Sequence, residues 1–198
     1  MIKKLKSYNN DKGVILCPHA GGYAEQLYVS NIESNVYGVV YPSSKINFNT
    51  MCLEIAQTLH NKQIHEWSAI GSSMGGYVAF LVAHYYERYF YRTFRTLHLF
   101  GVGCPEELIA TLNCNDFHGI VPTDLAILKT LQIDKKKILS PIFLHIGNDK
   151  FFDDSKTIEF WKNTTTNTLK VIYTEDDHLP SKDSLGGLNF QLRQHCCI

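Results

Sequence analysis

The sequence predicts an α/β fold, a mostly parallel sheet covered by helices on both faces, and three observations predict it. Short apolar runs rich in β-formers recur at 13–17, 36–41, 67–70, 96–101, 142–146 and 169–173, bounded by proline, glycine or polar residues. Segments with helical spacing alternate with several of them, the pattern of βαβ units whose crossovers bury a parallel sheet. At one of the junctions, "WSAIGSSMGGYVAF", a serine flanked by glycines sits where a strand gives way to a helix.

Length and composition bound the rest. A chain of 198 residues with 44% hydrophobic content is read as one domain, 1–198, with a short insertion at about 104–139. Lys plus Arg and Asp plus Glu are 19 each, so the electrostatic footprint of a nucleic-acid binder is missing. The lysine-containing start has no apolar core of a signal peptide, and no stretch reaches the eighteen or so apolar residues that span a bilayer. A cytoplasmic, membrane-free monomer is expected. The six cysteines, Cys17, Cys52, Cys104, Cys114, Cys196 and Cys197, show no C-x-x-C pairing, which argues for free thiols over a zinc site or a disulfide framework. The end "HCCI" has His195 where a prenylation box needs cysteine.

Taken in order, "GVILC" reads as a buried strand ended by Pro18, and the pair Gly21 and Gly22 lets the following loop turn tightly. The second strand, 36–41, stops at Pro42. Apolar residues at Met51, Leu53, Ile55, Ala56 and Leu59 predict a helix over 49–61, capped by Asn49 or Thr50. After the serine junction and its helix comes the strand at 96–101. Residues 104–139 hold two short amphipathic segments, "PEELIATL" and "AILKTLQIDKKK", which form either a small lid or a plain helical crossover. The strand at 142–146 leads to Asp149, a helix follows at 155–162, and the strand at 169–173 leads to His178. A last helix over 184–195 is expected to cover the sheet edge.

The serine junction is a G-x-S-x-G nucleophile elbow in its required context of strand, turn and helix. Centred on Ser73, the positions that must be small are Gly71 and Gly75; centred on Ser72, they would be Ile70 and Met74, which would crowd the turn. The amide of Met74, at the helix start, is available to a developing oxyanion. The loop after the first strand is where α/β-hydrolases place a second donor, and Ala20 is nominated for it, with Gly21 as the alternative.

A serine needs a base, and the base an orienting group. The order Ser73, Asp149, His178 is that of α/β-hydrolases, each residue following a predicted strand, so all three would meet at one edge of the sheet. Of the nine histidines, His60, His65, His84, His98, His145 and His195 fall in or beside predicted elements or in the tail. His19 precedes the serine, and His118 in the insertion is a weak competitor. For the acid, Asp176 and Asp177 are poorly placed to fold back on His178, and Asp153 and Asp154 are better used opening the next helix. Glu106 is the fallback.

With these residues in hand, the chain resembles the type II thioesterases, stand-alone α/β-hydrolases that serve nonribosomal peptide and polyketide synthases. "ILCPHAGGYAEQLY" looks like their opening signature and "GSSMGGYVAF" like their elbow, while "PEELIATL" is similar to the segment that opens their lid. Ser72 stands where the family usually has histidine, Leu179 and Pro180 where aromatic residues are common, and the lid is short. The resemblance implies hydrolysis of an acyl thioester on the phosphopantetheine arm of an acyl or peptidyl carrier protein, or on acyl-CoA. It requires no metal and no cofactor. A small-ester carboxylesterase and a non-catalytic binding partner of the same fold are the alternatives.

Overall fold

The computed structural model describes residues 1–30, 32–43, 46–113, 122–133, 136–148 and 151–194. Its strands are β1 (Ile2–Lys6), β2 (Lys12–Cys17), β3 (Asn35–Val39), β4 (Glu66–Ser72), β5 (Thr96–Phe100), β6 (Ile142–Ile146) and β7 (Leu169–Tyr173). They form one seven-stranded sheet in the order β1-β3-β2-β4-β5-β6-β7. β1 runs antiparallel to β3, and every other pairing is parallel. The helices are α1 (Phe48–His60), α2 (Met74–Phe90), α3 (Pro105–Asn113), α4 (Pro122–Leu128), α5 (Asp154–Thr164) and α6 (Lys182–Gln194), with a 3-10 turn at Ala24–Leu27.

The central strands β2 to β6 are apolar because both their faces are covered. On one face, Ile15, Ala69, Leu97, Leu99 and Leu144 pack with α1, α2 and Trp161 of α5. On the other, Val14, Leu16, Ile70 and Phe100 meet the 3-10 turn and Leu185 and Leu188 of α6. The last helix therefore lies on a sheet face, not at the expected edge: its two leucines, spaced by three, face a stripe of β2, β4 and β5 side chains.

The chain leaves β2 outward to β3 and returns to β4 on the other side of β2, so the direction of winding reverses between β2 and β4. These two strands lie side by side with Cys17 opposite Gly71. In open α/β sheets the crevice beyond the carboxyl ends of such a strand pair is where ligands bind.

Other departures from the sequence reading are local. The sequence predicts no strand before residue 13, yet Ile2 to Lys6 pair along β3 as an edge strand whose lysines meet solvent. α1 is capped by Asn47, whose side chain accepts from the amides of Asn49 and Thr50. α4 starts earlier than "AILKTLQIDKKK", at Pro122, a residue suited to the first helical position because it has no N–H to satisfy. Among the described residues no helix is long and apolar enough to cross a membrane, and Cys17, Cys52 and Cys104 are free and buried.

Candidate active site

β4 ends at Ser72, and α2 begins at Met74. Ser73 between them has φ 52° and ψ −122°, a conformation that costs a residue with a side chain of order 1–3 kcal/mol. The two glycines explain how it is reached. A Cβ on Gly71 would overlap the Gly75 carbonyl, and one on Gly75 would overlap the Cys17 carbonyl at the end of β2. The turn is thus packed directly against its neighbouring strand.

The two serines differ sharply. Ser72 is fully buried and its hydroxyl has no hydrogen-bond partner among the described residues. Ser73 is half-buried, and its amide donates to the Phe100 carbonyl at 2.8 Å. Met74, the first residue of α2, has an N–H with no acceptor inside its own helix.

The loop after β2 is a tight turn in which the Gly22 amide donates to the His19 carbonyl at 3.0 Å, with Gly21 at φ 74°. The Gly21 amide donates to Oδ2 of Asp124 in α4 at 2.7 Å. The Ala20 amide is engaged by no hydrogen bond among the described residues. From the far side, the Tyr41 hydroxyl donates to the Pro18 carbonyl at 2.5 Å. Burial, with smaller contributions from Cys17, Cys52 and Asp124, holds the Tyr41 phenol well above its ordinary pKa, so it remains a donor.

His178 is half-buried in the loop after β7. A Cβ on Gly101, which has φ 56°, would overlap the His178 carbonyl and lie 3.1 Å from its Nδ1. Since the Ser73 amide is fastened to Phe100, Ser73 and His178 reach successive residues at the end of β5. That end is itself fixed: Tyr77 of α2 donates to the Gly103 carbonyl at 3.0 Å, and the Trp161 indole to the Val102 carbonyl at 2.9 Å. The His178 ring is flanked by Phe151 and Phe152, with centroids 5.6 and 6.0 Å away. Burial first, and then His178, lower the pKa of His19, which places the two histidines within electrostatic reach.

Asp149 and the competitor His118 lie outside the described residues. The strand end that leads to Asp149 is bound to the loop that carries His178: the Asn148 amide donates to the Asp176 carbonyl at 2.6 Å, and a Cβ on Gly147 would overlap that same oxygen. Asp176 is otherwise engaged, since its Oδ1 accepts from the Ser181 amide at 3.1 Å ahead of α6. Burial works to raise its carboxyl, but bonds from Ser181, Ser184 and Thr174 outweigh it and hold the pKa below the ordinary value. Glu106 is exposed on the first turn of α3, in a groove it shares with Lys156 and Phe160 of α5. Asp153 caps α5 by accepting from the Lys156 amide at 3.0 Å.

Reading the sequence did not reveal Asp124, Tyr41, Phe151 or Phe152. The phenylalanine pair carried a signal, two adjacent aromatics in the polar stretch "NDKFFDD", one of them 59% exposed. Asp124 and Tyr41 carried none, because their partners are 103 and 23 residues away.

No family model matches the chain, and no curated protein matches it in sequence. Solved structures do. The type II thioesterase BorB from the borrelidin biosynthetic cluster is 17% identical with a TM-score of 0.76, over 98% of this chain and 95% of that one. YbtT, the type II thioesterase from the yersiniabactin NRPS/PKS biosynthetic pathway, is 15% identical with a TM-score of 0.75, over 98% and 97%. Est816, an N-acyl homoserine lactone degrading enzyme, is 10% identical with a TM-score of 0.68, over 98% and 96%. The fold is that of the α/β-hydrolases, and it spans nearly all of both chains in each case.

Proposed function

We propose that this chain is a serine hydrolase that releases acyl groups from thioesters on the phosphopantetheine arm of a carrier protein. The observation that carries the proposal is the strained Ser73, held at φ 52° between β4 and α2 at the switch point of the sheet. Strain of this kind in a half-exposed serine, with helix amides beside it, has a use in nucleophilic catalysis and none in packing.

The Ser73 hydroxyl attacks the thioester carbonyl while His178 takes its proton, and Asp149 orients the ring. The resulting oxyanion is held by the amides of Met74 and Ala20. Collapse of the tetrahedral adduct breaks the carbon–sulfur bond, and His178 returns the proton to the departing thiolate. Water then attacks the acyl-Ser73 ester with His178 again as base, releasing the carboxylic acid and restoring the serine. Accounting for amides favours Ala20 over Gly21: the Gly21 and Gly22 N–H groups are both committed, to Asp124 and to His19. Residues 104–139 act as a short lid, and carrier-bound acyl groups or acyl-CoA are the donors. Neither metal nor cofactor takes part.

The likeness to Est816 favours a second reading, hydrolysis of oxygen esters or lactones by the same residues. Mass spectrometry of an acyl-loaded carrier protein, with wild type and Ser73→Ala and a parallel p-nitrophenyl ester assay, tests both. Loss of the acyl group with wild type alone is expected. Fast ester turnover with an untouched carrier would move the assignment to an esterase. Refusal of every acyl donor, with no fluorophosphonate labelling, would leave a binding protein of this fold.

A further inference from the structure

We infer that Asp124 is a positioning residue for the oxyanion loop, tying α4 of the insertion to the turn that carries the Ala20 amide. The inference rests on the serine-hydrolase reading above. Asp124 is only 6% exposed, although it is a carboxylate on a short helix. Burying such a group is costly unless it is hydrogen-bonded, and the acceptor bond it makes is to the Gly21 amide at 2.7 Å.

The geometry of that bond fixes more than Gly21. In the turn from His19 to Gly22, the peptide plane between Ala20 and Gly21 is free to flip, because Gly21 has no side chain to forbid either orientation. Asp124 holds the Gly21 N–H on one side and so fixes that plane, while the Gly22 amide closes the turn onto His19. Tyr41 anchors the entrance to the turn through the Pro18 carbonyl. The Ala20 N–H lies in the preceding peptide plane, whose His19 carbonyl the Gly22 amide holds, so Asp124 acts on it by fixing the turn as a unit against α4. With the turn held at both ends the Ala20 N–H is placed before substrate arrives, which is the preorganisation that gives oxyanion donors their worth. Asp124 touches neither the nucleophile nor the base, so its effect is on the reaction's charge development and not on proton transfer. It also lines, with Gly21, Gly22 and Tyr41, a cleft of about 460 Å³, so this link between the insertion and the turn borders open space.

Asp124→Ala and Asp124→Asn separate this role from a structural one. With an acyl-N-acetylcysteamine thioester, Asp124→Ala should lower kcat by roughly ten- to a hundred-fold, less than loss of a donor itself, and leave KM within about two-fold. Affinity for a trifluoromethyl ketone, whose hemiketal oxyanion uses the same donors, should fall by the same factor. Asp124→Asn, which keeps an acceptor oxygen, should recover most of both. Exchange of the Gly21 amide, followed by NMR in the unliganded proteins, should accelerate in Asp124→Ala. Wild-type kcat and ketone affinity in Asp124→Ala would overturn the inference, as would equal losses in both variants that track the melting temperature. Unchanged Gly21 exchange would overturn it as well. Accelerated exchange in a chain whose wild type neither hydrolyses thioesters nor binds the ketone would overturn the positioning role of Asp124 in the reaction together with the hydrolase reading, whereas a failure of Asp124 alone leaves wild-type hydrolysis intact.

Discussion

Two adjacent serines, Ser72 at the end of β4 and Ser73 in the turn after it, should respond to substitution in opposite ways. Ser73→Ala removes the hydroxyl of the residue that carries the strained backbone of the elbow, and fluorophosphonate labelling and acyl transfer should both disappear. Ser72→Ala removes a hydroxyl that is buried without a partner. Labelling should persist, and urea unfolding should show a gain of about 1 kcal/mol, because an unsatisfied buried hydroxyl costs more than the methyl that replaces it. Labelling lost in Ser72→Ala and kept in Ser73→Ala would reverse the assignment. The strained turn at Ser73 was legible in the sequence because an elbow is a local object: five successive residues state where the backbone must be small. The surroundings of His178 were less legible. His178 could be placed after the last strand by order, but its contacts with Gly101, Phe151 and Phe152 come from two other loops, those after β5 and β6. The proposal for Asp149 rests on its order in the chain and on the binding of the neighbouring Asn148 to the His178 loop.

At the level of elements, legibility followed apolar content. The strands at 142–146 and 169–173 coincide with β6 and β7, since each is a run of β-formers between polar breaks. β1 was missed because its lysines mask the pattern: as an edge strand it needs only intermittent apolar contact, and its charges keep the open edge from pairing with other chains. The end of α2 hides another feature. Tyr91 closes this helix in the left-handed conformation, at φ 54° and ψ 37°, with its amide bonded to the Glu87 carbonyl and its side chain 91% exposed. Helices commonly use glycine there, since a Cβ in that conformation costs about 1–2 kcal/mol. Tyr91→Gly should therefore stabilise the protein by about 1 kcal/mol in denaturant unfolding, although glycine is ordinarily a destabilising substitution. A loss of stability instead would mean that the exposed ring contributes packing that outweighs the strain.

Over the whole molecule, the sheet buries two histidines that the proposed chemistry does not use. β5 and β6 run in register so that His98 lies opposite Phe143 and Phe100 opposite His145. Each histidine stacks on a phenylalanine, with centroids 4.8 and 4.0 Å apart, and His98 Nδ1 lies 3.2 Å from His145 Nε2. One of these two nitrogens carries the proton between them and the other accepts, so the pair is satisfied only while the acceptor is neutral. Burial lowers the pKa of His145 to about 4, and Asp176 opposes this only weakly. In the unfolded chain the same ring titrates near 6.5. The unfolded state therefore binds more protons as pH falls between these values, and folding stability tied to His145 is complete above pH 6.5 and drains away toward about 4. The full loss is on the order of 3 kcal/mol. Carboxylates such as Asp176, whose pKa is held low, add an acid loss of their own at the bottom of this range. Comparison of wild type with His145→Gln isolates the histidine: the glutamine cannot titrate but can hydrogen-bond His98. Unfolding free energies measured from pH 7.5 to 4.5 should fall more steeply in wild type, with the two curves parallel above pH 7. Parallel curves throughout would mean that His145 is protonated equally readily in the folded sheet and in the unfolded chain, which its burial between two strands should forbid.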